Sequence, residues 1–324
     1  MPDNLYVHFP FCRRKCTYCA LYSRPGVDMD VRDTYVRTLV AKLSSMGSHE
    51  LSFRTVYFGG GSPALCDLEP LLKILRGDEF TVELHPLDVT DDLLRSLMDG
   101  GVNRISMGVQ SLNDKVLADM GRGYTFAEAE RAFMKVREVF DNAGIDLIVG
   151  YPGDDTVSSE RCRRLERWGL RHCSVYSLQN ERGLKNVPDD DTVLDGIASI
   201  AELLRRWGLE RYEISNYAVS GYECKHNLAV WRGEDYLGIG DGAHGRIGLM
   251  RTPSGETVSP EADLKERTIF RLRTREGLDA SRFPEWTDIL DEYCAKKLLE
   301  RDGDVYRLTE RGTEVCDSIL ADLI

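Results

Sequence analysis

Three cysteines lie within eight residues near the start of the chain, in the stretch HFPFCRRKCTYC. Cys12, Cys16 and Cys19 give the spacing C-x3-C-x2-C, with no fourth cysteine close by. Three thiolates on a four-iron, four-sulfur cluster leave one iron without a protein ligand, so a small molecule can coordinate that iron. Two other interpretations stay open from the residues alone. One is a zinc site with His8 as fourth ligand, although zinc ligands usually occur in pairs far apart in sequence. The other is three unrelated buried thiols.

The composition restricts the setting in which such a site could work. The 324 residues are 42% hydrophobic and 30% charged, as in a globular protein of about two domains. A net charge of −12 argues against nucleic-acid binding, which depends on a basic surface. We expect neither a signal peptide nor a membrane span, because no long apolar run is present; peripheral membrane contact stays open. Nine cysteines without an export signal predict reduced thiols and a cytoplasmic protein.

Short apolar runs alternate with segments of helical periodicity along most of the chain. The predicted strands are LYVHF at 5–9, TVYF at 55–58, FTVEL at 80–84, RISMGV at 104–109, DLIVGY at 146–151 and CSVYSL at 173–178. Thr125 and Glu128 predict a helix start, and Gly144 after FDNA predicts the end of that helix. Repeated strand–helix units indicate parallel strands with crossover helices. Since no G-x-G-x-x-G opens the first helix, we predict an α/β fold with a partial (β/α)6 TIM-like barrel.

Glycine and polar residues follow the predicted strands rather than precede them. GGGSP follows TVYF, HP follows FTVEL, QS follows RISMGV, and PG follows DLIVGY. In a parallel barrel the loops at the carboxyl ends of the strands meet at one rim, and active sites lie there. The first strand leads directly into the three cysteines. We therefore expect the cysteines and these loops to form one site.

The sequence after residue 250 has a different character. It reads as helix, short hairpin around Asp302 and Gly303, and helix. We predict a partial-barrel domain at 1–250 and a small helical, winged-helix-like C-terminal domain, a helix–hairpin–helix unit, at 251–324. The acidic composition argues against DNA binding by this tail, and we expect it to cover part of the barrel as a lid.

These motifs together carry a family resemblance. The C-x3-C-x2-C loop with Tyr18 before the third cysteine resembles the radical S-adenosylmethionine (radical SAM) superfamily. Within it the chain is similar to the coproporphyrinogen dehydrogenase-like (HemN/HemW) group, and most of all to the HemW-type heme chaperones. The resemblance runs from Leu5 to the C-terminus and rests on LYVHFPFCRRKCTYC, YFGGGSP, NRISMGVQSLND, MGRGYT, IDLIVGYPG, YEISNYA, HNLAVWRGEDYLGIGDGAHG and LTERGTEVCDSILADL.

The resemblance implies a 4Fe–4S cluster on Cys12, Cys16 and Cys19, with S-adenosylmethionine on the open iron. It also implies that a set of polar, aromatic and glycine residues binds this cofactor. Carboxylates suit its ammonium group or ribose hydroxyls, a guanidinium suits its carboxylate, and glycines let the backbone approach it closely. The residues implied are Tyr6, Tyr18, Gly60, Gly61, Ser62, Glu83, Gln110, Arg122 and Asp146.

Two branches of this group do different work. The dehydrogenase branch cleaves the cofactor and oxidatively decarboxylates a porphyrinogen, and its pattern has a further cysteine two residues after the third and an N-terminal extension. Here Leu21 occupies that position, and five residues precede Tyr6. Both departures favour the chaperone branch, in which heme is bound and passed to acceptor hemoproteins. An oxygen-independent coproporphyrinogen III oxidase, or another radical SAM enzyme acting on a tetrapyrrole, is the alternative.

The chaperone branch carries the motif H-N-x-x-Y-W, which is linked to heme. This sequence has His226 and Trp231 in that pattern, but Val230 stands where tyrosine is usual. Imidazole is a natural axial ligand of heme iron. The resemblance therefore implies His226 as heme ligand with Trp231 as an apolar wall, and Cys224 as a rival ligand.

Overall fold

The computed structural model of the chain describes residues 2–47, 50–154 and 159–324. The strands in these ranges are β1 (Asn4–Phe9), β2 (Phe11–Cys12), β3 (Arg24–Pro25), β4 (Leu51–Gly60), β5 (Leu75–Leu84), β6 (Arg104–Gln110), β7 (Ala143–Val149), β8 (His172–Ser177), β9 (Glu210–Arg211), β10 (Asn216–Ala218), β11 (Tyr236–Ile239), β12 (Gly245–Ile247), β13 (Met250–Thr252), β14 (Leu278–Asp279), β15 (Leu299–Asp302) and β16 (Val305–Leu308). The helices are α1 (Met29–Ser44), α2 (Glu69–Leu72), α3 (Asp91–Asp99), α4 (Asp114–Asp119), α5 (Phe126–Val139), α6 (Ser159–Glu166), α7 (Asp190–Arg206), α8 (Lys225–Trp231), α9 (Pro260–Phe270), α10 (Thr287–Ala295), α11 (Glu310–Thr313) and α12 (Cys316–Ala321). Among the helices of these ranges, none combines the length and the apolar character that a membrane span needs.

The six predicted strands form one continuous parallel sheet in the order β1, β4, β5, β6, β7 and β8. Strand β11 extends it in parallel beside β1, and on the other side β10 pairs antiparallel with β8 and is followed by β9 at the edge. Helices connect the successive strands, as a right-handed β–α–β crossover requires. The α/β fold with a partial (β/α)6 barrel is therefore confirmed.

The two faces of the barrel strands differ in polarity. Along β5, Phe80 and Val82 point outward and belong to the large apolar core under the helices, whereas Thr81 and Glu83 point into the barrel. Inward side chains of the other strands are also mostly polar: Tyr6, His8, Thr55, Tyr57, Arg104, Ser106, Asp146, His172 and Ser174. Ordinary parallel barrels fill this space with bulky branched side chains. Here the barrel lumen instead carries the groups that could bind a polar ligand.

The start of α5 agrees with the sequence prediction, but its end does not. Thr125 caps the helix in a capping box with Glu128, which is confirmed. The helix stops before Phe140, whose backbone is extended, so the predicted stop at Gly144 is wrong. Gly144 lies inside β7, where an added β-carbon would come within 2.7 Å of the His172 carbonyl oxygen. That glycine is needed for close strand packing rather than for ending a helix.

The C-terminal residues form a second apolar core beside the barrel. Its buried members include Leu272, Trp286, Leu290, Tyr306 and Ile319. Strands β15 and β16 pair as the predicted hairpin, and β14 adds a third strand. Strand β13 still belongs to the main sheet. The division near residue 250 stays a prediction.

Candidate functional site

The cysteine loop leaves the carboxyl end of β1 and is fixed to the loop after β4. Gly61 N–H donates to the Phe9 carbonyl oxygen and Ser62 N–H to the Phe11 carbonyl oxygen, both at 2.7 Å. All three cysteines of the loop are free and partly exposed. The first strand thus delivers the thiols to the rim at which the other strands end.

The three thiols lie near one another without forming a compact shell for one ion. Burial raises the pKa of the Cys12 thiol, and the neighbouring Cys19 and Cys16 raise it further. Across residues 2–47, 50–154 and 159–324, no three His, Cys, Asp or Glu side chains are arranged to hold a metal ion. A structural zinc site needs such a closed tetrahedral set. A 4Fe–4S cluster takes its thiolates at separate corners, which three cysteines on one short loop can supply.

His8 is not available as a fourth ligand of zinc. Its Nε2 lies 3.0 Å from the Tyr22 carbonyl oxygen, which can only accept, so Nε2 carries the proton and donates. Its Nδ1 then accepts from the Tyr6 hydroxyl at 3.0 Å. With both ring nitrogens engaged, His8 braces Tyr6 and the cysteine loop. His8 therefore serves the packing of the loop in this structure rather than offering a free ring nitrogen to a metal ion.

Gly60 and Gly61 bring backbone close to the cysteine loop. Gly60 has φ +110°, and a β-carbon there would lie 2.5 Å from His8 Cε1. A β-carbon on Gly61 would lie 2.8 Å from Cys12 Sγ. Both positions therefore require glycine. Ser62 is buried and donates a short hydrogen bond to Asp88, so it supports the loop.

Glu83 lies inside the barrel below the glycine loop. Its Oε1 accepts from the Tyr57 hydroxyl at 2.8 Å, and its Oε2 accepts from Gly60 N–H at 3.0 Å. Burial, aided by the negative charge of Asp146, raises the pKa of Glu83 to about 7. Asp146 accepts from Ser106 Oγ at 3.0 Å, and burial raises its pKa as well. Two carboxyl groups thus share the lumen, and a bound cation would favour the ionised form of each.

Arg122 reaches the cysteine loop from the segment after α4. Its Nε donates to the Tyr124 hydroxyl at 2.9 Å and its Nη2 to the Gly108 carbonyl oxygen at 2.7 Å. The remaining Nη1 lies 3.5 Å from Cys16 Sγ and 3.4 Å from the Tyr18 hydroxyl. Two hydrogen bonds therefore hold the Arg122 guanidinium in place, and its remaining nitrogen, Nη1, faces the cysteine loop. Such a guanidinium suits an anionic group bound beside the cluster loop.

Gln110 ends β6 in a left-handed conformation with φ +72°. The pairing of β6 with β7 shifts between Gly108 and Gln110, which marks a β-bulge. The bulge turns the Gln110 side chain back over Gly108, where an added β-carbon would lie 2.6 Å from Gln110 Nε2 and 3.2 Å from Arg122 Nη2. A strained non-glycine residue at a strand end often marks a functional site.

His226 lies away from the rim, at the amino end of the barrel. It is 4% exposed, and its Nδ1 is 2.8 Å from Thr55 Oγ1. Its ring packs near Tyr57 and Tyr6, with centroid separations of 5.2 Å and 6.3 Å. Burial lowers the pKa of His226 to about 3, so the ring is neutral. Cys224, two residues before it, is fully buried.

The first turn of α8 is fixed by a buried carboxylate. Glu79 accepts from the backbone N–H of Lys225 at 2.9 Å and of His226 at 3.0 Å. Trp231 lies at the other end of α8 and packs against Phe270 of the tail, with ring centroids 6.0 Å apart. The expected wall of Trp231 beside His226 is therefore not formed. A heme could coordinate His226 only after α8 moves, and this role stays a prediction.

The structure brings most of the predicted residues together at the rim, whereas Tyr6 lies deeper in the lumen, between His8 and His226. Cysteines, glycines, carboxylates and Arg122 meet at the carboxyl ends of β1 and β4 to β7. This donor set fits a ligand that has an ammonium group, a carboxylate and ribose hydroxyls. Sequence reasoning missed Tyr57 and Ser106, which hold Glu83 and Asp146. Alternation along TVYFGG, in which Tyr57 and Gly59 share the inward face, was the signal available for Tyr57.

Comparisons with known proteins agree with this geometry. Residues 6–157 match the model of the radical SAM superfamily. The chain is 32% identical to the mouse protein named radical S-adenosyl methionine domain-containing protein 1, mitochondrial, over 91% of this chain and 72% of that protein. It is 29% identical to the heme chaperone HemW of Lactococcus lactis (98% of this chain, 96% of the relative) and to that of Escherichia coli (98% and 97%). Coproporphyrinogen III oxidase (HemN) from E. coli has a similar fold, with a TM-score of 0.82 and 18% identity over 99% of this chain and 90% of that chain.

Proposed function

Because the chain belongs to the radical SAM superfamily, we propose that Cys12, Cys16 and Cys19 bind a 4Fe–4S cluster and that the adjoining lumen binds S-adenosylmethionine. When bound, the cluster supplies one open iron and an electron. Superfamily membership and the rim geometry both support this cofactor pair. We assign the protein to the cytoplasm, where thiols such as its free cysteines stay reduced.

The residues of the chain have distinct roles in this proposal. Gly60 and Gly61 let the loop after β4 pack directly against His8 and Cys12 Sγ, so that their backbone lies beside the cysteines. Glu83 and Asp146 accept from the ammonium group and the ribose hydroxyls, while Arg122 meets the ligand carboxylate.

We further propose that the protein is a heme chaperone, which binds heme and passes it to acceptor hemoproteins. The observation that carries this proposal is the similarity to chaperones named HemW over nearly the whole length of both chains. Leu21, in place of a further cysteine, supports the same choice. The likeness to coproporphyrinogen III oxidase is one of fold alone at 18% identity, so oxidative decarboxylation of a tetrapyrrole is the second candidate.

Anaerobic reconstitution followed by heme titration tests the chaperone function. We expect about one heme per chain, transfer of that heme to an apo-hemoprotein, and no conversion of coproporphyrinogen III to protoporphyrinogen IX with S-adenosylmethionine present. Formation of the decarboxylated product would establish the oxidase instead. If neither heme binding nor decarboxylation occurs but 5′-deoxyadenosine is released, the protein is a radical enzyme with another substrate.

The axial ligand is tested separately with two variants. We propose His226 as the ligand after movement of α8, with Cys224 as the alternative. His226→Ala should change the heme absorption spectrum, and Cys224→Ala should leave it unaltered. The opposite pattern would identify the thiol. If neither variant changes the spectrum, the ligand lies outside this segment.

A further inference from the structure

A cleft of about 440 Å³ lies between α7, the outer face of β8 and the tail helices α11 and α12. It is outside the barrel and shares no residue with the cofactor site described above. Its walls are mixed: apolar side chains that include Val175, Ile197, Ala201 and Val315 lie beside polar and charged ones. The volume of the cleft is within the range of small-molecule sites, and its mixed walls suit an amphipathic ligand.

One cation in this cleft has too few partners. The Arg211 side chain is only 14% exposed, and its Nε is buried without a hydrogen-bond partner among the described residues. Its Nη1 lies 3.4 Å from the Ile214 carbonyl oxygen, a long contact, and its Nη2 lies 3.9 Å from Glu310 Oε2, beyond hydrogen-bond distance. The guanidinium carbon also lies over the Tyr217 ring, 5.1 Å from its centroid. A buried guanidinium with unused donors is unfavourable unless an acceptor reaches it.

We infer that this cleft binds an apolar molecule that carries one carboxylate, with the carboxylate on Arg211. A planar carboxylate matches the guanidinium fork, and the apolar side chains of the walls accept the rest of the molecule. The lining also includes the carboxylates of Glu202, Glu310, Glu314 and Asp317 and the guanidinium groups of Arg205 and Arg311. Since the acidic groups balance the basic ones, the cleft has no excess positive charge, and a dianion such as phosphate would meet more repulsion than a monoanion. Glu310 is exposed and forms only a weak ion pair with Arg211, so the ligand can replace it.

Two kinds of ligand present a carboxylate on an apolar body: a free fatty carboxylate, and a tetrapyrrole with a propionate arm. The second kind rests on the proposed heme function, and the first does not. The reconstituted full-length protein should be titrated calorimetrically with decanoate, and with decanol as the uncharged analogue. We expect decanoate to bind and decanol to bind at least about tenfold more weakly, because hydrogen bonds to a charged group are lost.

Four variants tie the binding to the cleft. Arg211→Met should weaken decanoate binding about tenfold or more, whereas Arg95→Met, at an exposed position on α3 that pairs with Asp92, should not. Ala198→Trp fills the cleft from an exposed position on α7 and should abolish binding. Its control is Ala41→Trp, at an exposed position on α1.

A further variant should strengthen decanoate binding, and it changes an exposed residue rather than a buried one. Glu310→Gln should tighten decanoate binding, since a competing and repelling carboxylate is removed.

Competition by mesoporphyrin IX but not by its dimethyl ester would identify the propionate source; no competition would identify a free carboxylate. If decanoate does not bind, or binds equally to the Arg211→Met and Ala198→Trp variants, the inference is overturned. Heme binding in the preceding test is measured independently of this outcome.

Discussion

The Tyr57 hydroxyl donates a 2.8 Å hydrogen bond to Glu83 Oε1, and this contact sets how a buried carboxyl group ionises. Burial raises the pKa of Glu83 to about 7, while the bonds from Tyr57 and Gly60 favour the charged form and pull it back. Glu83 therefore changes protonation near neutral pH, where a cationic ligand would complete its ionisation. Tyr57 positions a binding carboxylate without needing to touch the ligand.

The first prediction concerns this tyrosine. Tyr57→Phe removes a donor to the Glu83 carboxylate, so the pKa of Glu83 should rise further and the affinity for S-adenosylmethionine at pH 7 should fall. A lost hydrogen bond to a charged group suggests a loss of about 1.5–3 kcal/mol. Equilibrium dialysis at several pH values should show the binding curve displaced to higher pH. Tyr222→Phe, which loses an exposed bond to Asp141, is the matched control, and a shift of equal size in both would exclude the specific role of Tyr57.

The second prediction is a dependence of stability on pH. The pKa of Glu83 is raised from 4.5 to about 7 on folding, so between these values the folded chain binds more protons than the unfolded chain. The free energy of unfolding should therefore fall as pH rises through this window. Glu83→Gln keeps the shape but cannot ionise, so urea titrations should show a smaller fall than in the wild type. Identical slopes for the two proteins would mean that Glu83 is not held protonated.

The third prediction concerns the cluster. Cys16→Ala should abolish the broad visible absorbance of reconstituted protein and the bound iron and sulfide, since one of three thiolates is lost. Cys294→Ala is the control, because that thiol is also partly exposed but lies in the tail. Zinc in place of iron and sulfide, measured in the purified protein, would refute the cluster.

The barrel could be predicted from the sequence because its strands are apolar runs bounded by glycine and polar residues. Segments of helical periodicity separate these runs. The rim could be predicted for the same reason, since the loop residues follow the strands. The position of His226 could not be read in this way. A histidine at the start of a short helix can face either the solvent or the lumen. Here two contacts decide it: Glu79 accepts from backbone N–H groups at the helix start, and Thr55 Oγ1 accepts from the ring.

Gly144 shows a second limit of sequence reasoning. A glycine after a helix is usually read as a cap, but this one is required by the carbonyl oxygen of a neighbouring strand. That contact joins residues far apart in the chain. Only the assembled sheet reveals it. The same holds for Arg211, whose unused donors become evident only when the tail encloses them.

The fourth prediction separates a binding role of Asp146 from a structural one. Asp146→Asn keeps the size of the side chain but removes its charge, so S-adenosylmethionine binding should weaken by at least about tenfold while iron content stays unchanged. Asp141→Asn, at an exposed aspartate with partners Tyr222 and Arg171, should change neither. Loss of iron in the Asp146 variant would indicate that the residue supports the fold around the cysteine loop.

The last prediction concerns His226 in the absence of heme. Its buried ring packs near Tyr57 and bonds to Thr55, so His226→Ala should leave a cavity and remove one hydrogen bond at the amino end of the barrel. By analogy with other large-to-small changes in buried positions, we expect the free energy of unfolding to fall by about 2–4 kcal/mol. Thr55→Val leaves no cavity but removes two hydrogen bonds, with His226 Nδ1 and with Asn4 Oδ1, and should cost about 1–3 kcal/mol. Denaturant titration of heme-free protein measures both. A His226→Ala variant as stable as the wild type would mean that the imidazole is not part of the packed lumen, and that α8 opens readily enough to present it to heme.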